Sequence, residues 1–199
     1  MTSFSEQRPS WDEYFLMLAK LAATRSTCLA FPVGAVIVNK NRQVLATGYN
    51  GSPAGSAHCT EQGYCYPDLS SCDASKTLPS RAVHAEANAI AQAAKHGIST
   101  ESASIYVTLE PCLSCLKLII SAGIHEVFYE TTFNSGEKAL VRDFFVEEGL
   151  ITMKQISLSE ATAQTSASFL LNPTSVARPA VAEALPPINI RTSNFDKFL

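Results

Sequence analysis

Behind Ser10 the apolar residues Tyr14, Phe15, Leu18, Leu21 and Ala22 recur at the spacing of one helix face. Ser10 with Glu13 forms a capping-box pattern, so a helix is predicted from about Trp11 to Arg25. Val33 to Val38 is a β-branched run, Asn39 to Arg42 is polar turn material, and Val44 to Tyr49 is a second apolar run. The pair predicts a β-hairpin. From Asn50 to Arg81 no period is sustained. This stretch holds Gly51, Pro53, Gly55, Gly63, Pro67 and Pro79 together with Cys59, Cys65 and Cys72. A loop of that length in a compact domain needs something to pin it.

Regular patterning then resumes. His84 to His96 is Ala-rich and helical, with Gly97 placed as its C-terminal stop. Ser104 to Leu109 predicts a strand, and Pro111 opens a helix that runs through Cys112, Cys115, Leu118 and Ile119 to Gly123. A strand at Glu126 to Tyr129, a helix at Glu137 to Glu148 and a strand at Leu150 to Ile156 complete the order. After the hairpin that order is αβαβαβ, which calls for a sheet covered by helices. Residues 1–156 are therefore expected to form the folded domain. Of the 43 residues from 157 to 199, 21 are Ala, Ser, Thr or Pro, so this stretch is expected to be a flexible, low-complexity tail.

Composition narrows the function classes. With 46% hydrophobic and 17% charged residues, the chain is not of the disordered class. A net charge of -3 gives no basic field to hold nucleic acid by its phosphates. No apolar run is long enough to cross a membrane, and Met1 to Tyr14 lacks an apolar core of the kind that directs secretion. A cytoplasmic location with reduced cysteines is the expectation, so their spacing reads as metal binding or catalysis.

Two strings carry the chemistry. His84-Ala-Glu86 and Pro111-Cys112-Leu-Ser-Cys115 each open a predicted helix. H-x-E with P-C-x-x-C is the signature pair of the zinc nucleobase deaminases. Cys112 and Cys115 lie three apart, so both sulfurs face one way. A helix N-terminus favours thiolates there. Two thiolates and one imidazole give a tetrahedral Zn²⁺ three protein ligands and leave its fourth position for water. Glu86 stands close enough to exchange a proton with that water without filling the metal site.

On these strings the chain resembles the cytidine/deoxycytidylate deaminase superfamily and, within it, the deoxycytidylate (dCMP) deaminases. Further carriers of the resemblance are Arg25-Ser-Thr-Cys28, Val33 to Val38, Thr47-Gly-Tyr-Asn-Gly-Ser-Pro53, His58-Cys59, His84 to Ile90 and Tyr106 to Cys115. It covers about residues 11 to 156. It implies a three-layer α/β/α fold with a five-stranded mixed sheet. It also implies zinc-dependent hydrolysis of dCMP to dUMP and ammonia in pyrimidine nucleotide metabolism. Zinc would be held by His84, Cys112 and Cys115, with Glu86 carrying protons to N3 and to the leaving amine. Asn50 would hydrogen-bond the sugar and the Ala85 N–H the base carbonyl; a pure turn role for Asn50 in Asn50-Gly51 stands beside this. The resemblance further implies a homo-oligomer, commonly a hexamer, with dCTP activating and dTTP inhibiting.

A second, structural zinc is implied on Cys28, Cys59 and Cys72, with Cys65 or His58 to complete four ligands; ordinary buried thiols are the alternative. Where relatives often carry basic residues after Ser-Thr-Cys, this chain has Leu29-Ala-Phe-Pro32. Arg25 is left as either a phosphate partner or a helix-end salt bridge. A deaminase of another nucleoside, a base or tRNA adenosine, and a non-catalytic zinc-stabilised binding module, remain the competing functions. Glu86 argues against the last, since a structural site needs no proton carrier.

Overall fold

The computed structural model describes residues 8–65, 81–133 and 138–171. Helix α1 spans Trp11–Ala23 and begins with the predicted capping box: the Glu13 N–H donates to Ser10 Oγ at 3.2 Å, and Ser10 N–H to the Glu13 carboxylate at 3.0 Å. Strands β1 (Gly34–Val38) and β2 (Val44–Tyr49) form the expected antiparallel hairpin. Its turn is organised by Asn39 Oδ1, which accepts from the N–H groups of Asn41 and Gln43.

Helix α2 is short, Cys59–Gln62, and the sequence pattern did not reveal it. Then follow α3 (Ala85–Lys95), β3 (Ser104–Leu109), α4 (Leu113–Ser121), β4 (Glu126–Thr131), α5 (Lys138–Glu147) and β5 (Thr152–Gln155). The strands lie in the order β2-β1-β3-β4-β5. β1 is antiparallel to β2 and β3, while β3, β4 and β5 run parallel. This is the expected five-stranded mixed sheet. Parallel neighbours need a helical crossover, and α4 and α5 supply it.

Alternation in β1 decides the two faces. Val36 and Val38 pack with Phe15 and Ala19 of α1 and with Tyr106. Ala35 and Ile37 point the other way, into a core with Ile105 and Val107, Ala85, Ala89 and Ala93 of α3, and Leu116 and Ile119 of α4. The sheet is thus covered on both sides, which is why all five residues of β1 are buried. Each fully buried Ile or Phe side chain contributes about 1.5–3 kcal/mol. The alanine face of α3 lets it lie close on β2. A Cβ at Gly48 would stand 2.5 Å from the Ala89 backbone nitrogen and nearer still to the Ala85 carbonyl.

One expectation about the tail changes. Helix α6 spans Glu160–Leu171, inside the segment read as flexible. The reasons are local: Ser159 Oγ accepts from the Thr162 N–H at 3.2 Å, a cap, and the alanines behind it favour helix. By compactness the chain divides into Met1–Thr162 and Ala163–Leu199, six residues beyond the boundary read from composition. In the second unit the described residues are helical to Leu171, with Ser168 Oγ donating to the Thr165 carbonyl.

Candidate active site

The site is assembled from two helix N-termini at one end of the sheet. His84 is the N-cap residue of α3 and Cys112 that of α4, both in extended conformation, and neither side chain caps its own helix. A side chain committed to a metal cannot also accept from the N2 or N3 amide, and forgoing such a cap costs about 0.5–2 kcal/mol. In α3 a residue from another part of the chain compensates. The Ala85 N–H donates to Asn50 Oδ1 at 2.7 Å, across 35 residues of sequence. The Asn50 amide in turn donates to the Phe31 carbonyl at 3.0 Å, its N–H donates to Val33, and its carbonyl accepts from Thr27 and Ser26. Asn50 is 6% exposed and fully engaged. Asn50 and Ala85, expected to hold sugar and base, are here partners of each other.

Nδ1 of His84 lies 3.5 Å from the Cys112 sulfur and 3.4 Å from the Cys115 sulfur, and the three donor atoms all fall within 4.8 Å of one another. Zinc bonds of about 2.0 Å to nitrogen and 2.3 Å to sulfur at tetrahedral angles would separate N and S by about 3.5 Å. The donor set therefore fits zinc in both chemistry and spacing. Hydrogen bonds from Cys115 and His84 pull the Cys112 thiol down to about 3, while the same sulfur–sulfur contact pushes the Cys115 thiol up. The bond to Cys112 also raises His84.

Glu86, in the first turn of α3, is 4% exposed, and burial pushes its carboxyl up to about 7. It lines a cavity of about 200 Å³ with His84, Cys112, Asn50, Phe31 and Phe133. That is below the roughly 300–1,000 Å³ of pockets that take drug-sized ligands, and it admits a ring-sized group. A second cleft of about 450 Å³ shares Phe31, Val33 and Leu109 with the first, and it also carries Lys20, paired to Glu130 at 2.5 Å.

The remaining described candidates form no such group. Among the described residues, only His84, Cys112 and Cys115 form a three-donor cluster. Cys28, Cys59 and Cys65 are free thiols. The Cys59 sulfur is 3.7 Å from Ser52 Oγ, and the Cys65 sulfur accepts from the Arg81 N–H. Cys72 lies outside the described residues. Arg25 is exposed and lines neither cavity. Sequence reasoning missed Phe31, Phe133 and the buried Glu110. Glu110 lies inside the Tyr106 to Cys112 string, but nothing in the string says which way its carboxylate turns.

An α/β/α sheet with an open imidazole–dithiolate centre beside a buried carboxylate defines a zinc deaminase fold and site. Residues 9–131 match the cytidine and deoxycytidylate deaminase zinc-binding region, and the chain belongs to that family. It is 41% identical over 154 residues to ComE operon protein 2 of Bacillus subtilis (strain 168), covering 77% of this chain and 75% of that one. It is 44% identical over 128 residues to a deoxycytidylate deaminase of Schizosaccharomyces pombe, covering 64% of this chain but only 39% of the relative. A crystal structure of dCMP deaminase from the cyanophage S-TIM5, in complex with dCMP and dUMP, superposes with a TM-score of 0.60 at 26% identity. That match covers 75% of this chain and 98% of the other.

Proposed function

We propose that this chain hydrolyses dCMP to dUMP and ammonia. The observation that carries the reading is the placement of a buried carboxylate in one small cavity with the imidazole and a sulfur of a three-donor zinc site. The deoxycytidylate deaminase relative and the dCMP-bound neighbour favour dCMP among deaminase substrates.

His84, Cys112 and Cys115 would hold the zinc. Zn²⁺ bound by these donors would supply the Lewis acidity that brings proton loss from water down to about pH 7. Glu86 does the proton work of a hydrolysis in which one water is consumed and one ammonia released. Its carboxylate takes one proton from the attacking water and delivers it to N3 as the water oxygen bonds to C4; it then carries the second proton, from the new C4 hydroxyl, to the 4-amino group, and the C4–N bond breaks to release ammonia. Burial suits Glu86 to both roles, because desolvation disfavours its charged form and makes the carboxyl a stronger proton acceptor than one in water. Phe31 and Phe133 flank the ring-sized space, and the adjoining cleft with Lys20 leaves room for sugar and phosphate. The Ala85 N–H reaches a base carbonyl by exchanging its bond to Asn50, whose freed carboxamide then turns to the sugar.

A structural zinc on Cys28, Cys59 and Cys72 belongs to the same proposal. It is supported by the Thr60 N–H to Thr27 carbonyl bond, which ties the chain next to Cys28 to the chain next to Cys59. So do a homo-oligomer, control by dCTP and dTTP, and a cytoplasmic location. Among the described residues no helix is long and apolar enough to cross a membrane.

A nucleotide panel scored by ammonia release, with and without dCTP and dTTP, tests the reading. We expect dCMP to be turned over far faster than cytidine or deoxycytidine, with sigmoidal kinetics that dCTP makes hyperbolic. Equal rates on nucleoside and nucleotide remove dCMP as the substrate. Metal counting expects two zinc ions per chain; one ion removes the structural site.

A further inference from the structure

Glu110 follows β3 directly, two residues before Cys112, and is 5% exposed. A carboxylate this deeply buried must be paired. One oxygen, Oε2, accepts from the backbone N–H of Phe133 at 2.8 Å. The other accepts from the guanidinium of Arg142 in α5, which Asp143 holds from its far side. The Glu110 N–H also donates to the Thr131 carbonyl at 2.8 Å. The end of β4 and helix α5 are thereby tied to the junction that presents Cys112. Glu110 borders the site's cavity itself, and Phe133 reaches the same space. Phe133 lines the cavity of His84 and Glu86, and its ring meets that of Phe31 edge to face at 6.4 Å.

We propose that Glu110 is a positioning residue: by bridging the Phe133 N–H and Arg142, it fixes the aromatic wall against which the substrate ring is held. The inference rests on the deaminase reading but assigns a residue that the reading does not use. The argument is one of acceptor count. A carboxylate serves two converging donors with two oxygens, whereas a carboxamide has one oxygen and turns an NH₂ toward the other donor. At almost unchanged side-chain volume, Glu110→Gln keeps its one oxygen on the charged donor Arg142 and turns its NH₂ toward the Phe133 amide, which is released. Loss of one hydrogen bond to a charged group is worth about tenfold or more. A loosened wall weakens ground state and transition state alike, so KM rises while kcat holds.

The test uses the zinc-loaded full chain as wild type, Glu110→Gln, Arg142→Ala and the double variant. It measures KM and kcat for dCMP, zinc per chain, and hydrogen exchange at the Phe133 amide. We expect KM to rise about tenfold in each single variant and no further in the double. Zinc content should be unchanged, kcat close to wild type, and Phe133 exchange faster. A fall in kcat with KM unmoved, loss of zinc, or unchanged Phe133 exchange overturns the proposal. If wild type does not turn over dCMP, the functional reading fails, and Phe133 exchange alone decides the role of Glu110. If Glu110→Gln does not fold, Arg142→Ala carries the same test.

Discussion

At the residue scale the site depends on side chains that do not satisfy their own helices. His84 and Cys112 occupy N-cap positions yet point their donor atoms at each other's neighbourhood, and Glu86 is buried as an acid would not be on a surface. Glu86→Gln keeps the volume and removes the proposed proton carrier. Zinc content by metal analysis should stay at the wild-type level, while ammonia release falls by about 10²–10⁴-fold or more. Unchanged turnover would take Glu86 out of the mechanism. The clustering of His84, Cys112 and Cys115, with Glu86 beside them, was legible in the sequence because a spacing of two or three residues at a helix start keeps such side chains together. Asn50 was legible as a polar residue at a turn, but not as the remote cap of α3. That bond spans 35 residues, and no local pattern records it.

At the element scale the strands and helices followed periodicity closely, with ends differing by one or two residues. The two exceptions have physical causes. Helix α2 is a single turn, too short to show a period. Helix α6 has no apolar stripe to detect, and only its Ser159 cap and alanine content announce it. Ser159 also reaches α1. Its hydroxyl donates to Glu13 at 2.8 Å, and its N–H donates to the same carboxylate. Burial alone would raise the Glu13 carboxyl, but hydrogen bonds from the Ser10 backbone, Ser159, Thr162 and the Ser10 hydroxyl outweigh it and bring it from 4.5 to about 2. A lowered carboxyl stabilises the fold above its unfolded value and loses that contribution as it is protonated. Thermal melts should therefore show stability falling between about pH 4.5 and 2. In Ser159→Ala this acid limb should be shallower, and an identical limb would show that the Ser159 bonds do not contribute.

At the scale of the whole molecule, one sheet brings together four candidate site groups from two strings, His84 and Glu86 with Cys112 and Cys115, whose members lie 26 to 31 residues apart across the strings. Parallel β3 and β4 with the crossover α4, and the close approach of α3 to β2 allowed by Gly48, place both helix N-termini at one end of the sheet. Ending the chain after Thr162 keeps the Ser159 bonds and the entire sheet. This shortened chain should retain catalytic zinc and dCMP turnover close to that of the full chain. A loss of either by metal analysis and ammonia release would show that the residues beyond 162 belong to the working domain.

The amino-acid order by itself determined the alternation of strand and helix, the three metal-ligating side chains and the carboxylate proposed to carry protons. Each of these is a short-range property, fixed by residue type and a spacing of two to four. Only the tertiary structure decided which buried polar groups serve the site. Asn50 caps α3 from afar, and Glu110 turns inward to Arg142 and the Phe133 amide, because acceptors without water must be matched with whatever donors the packed chain brings within reach.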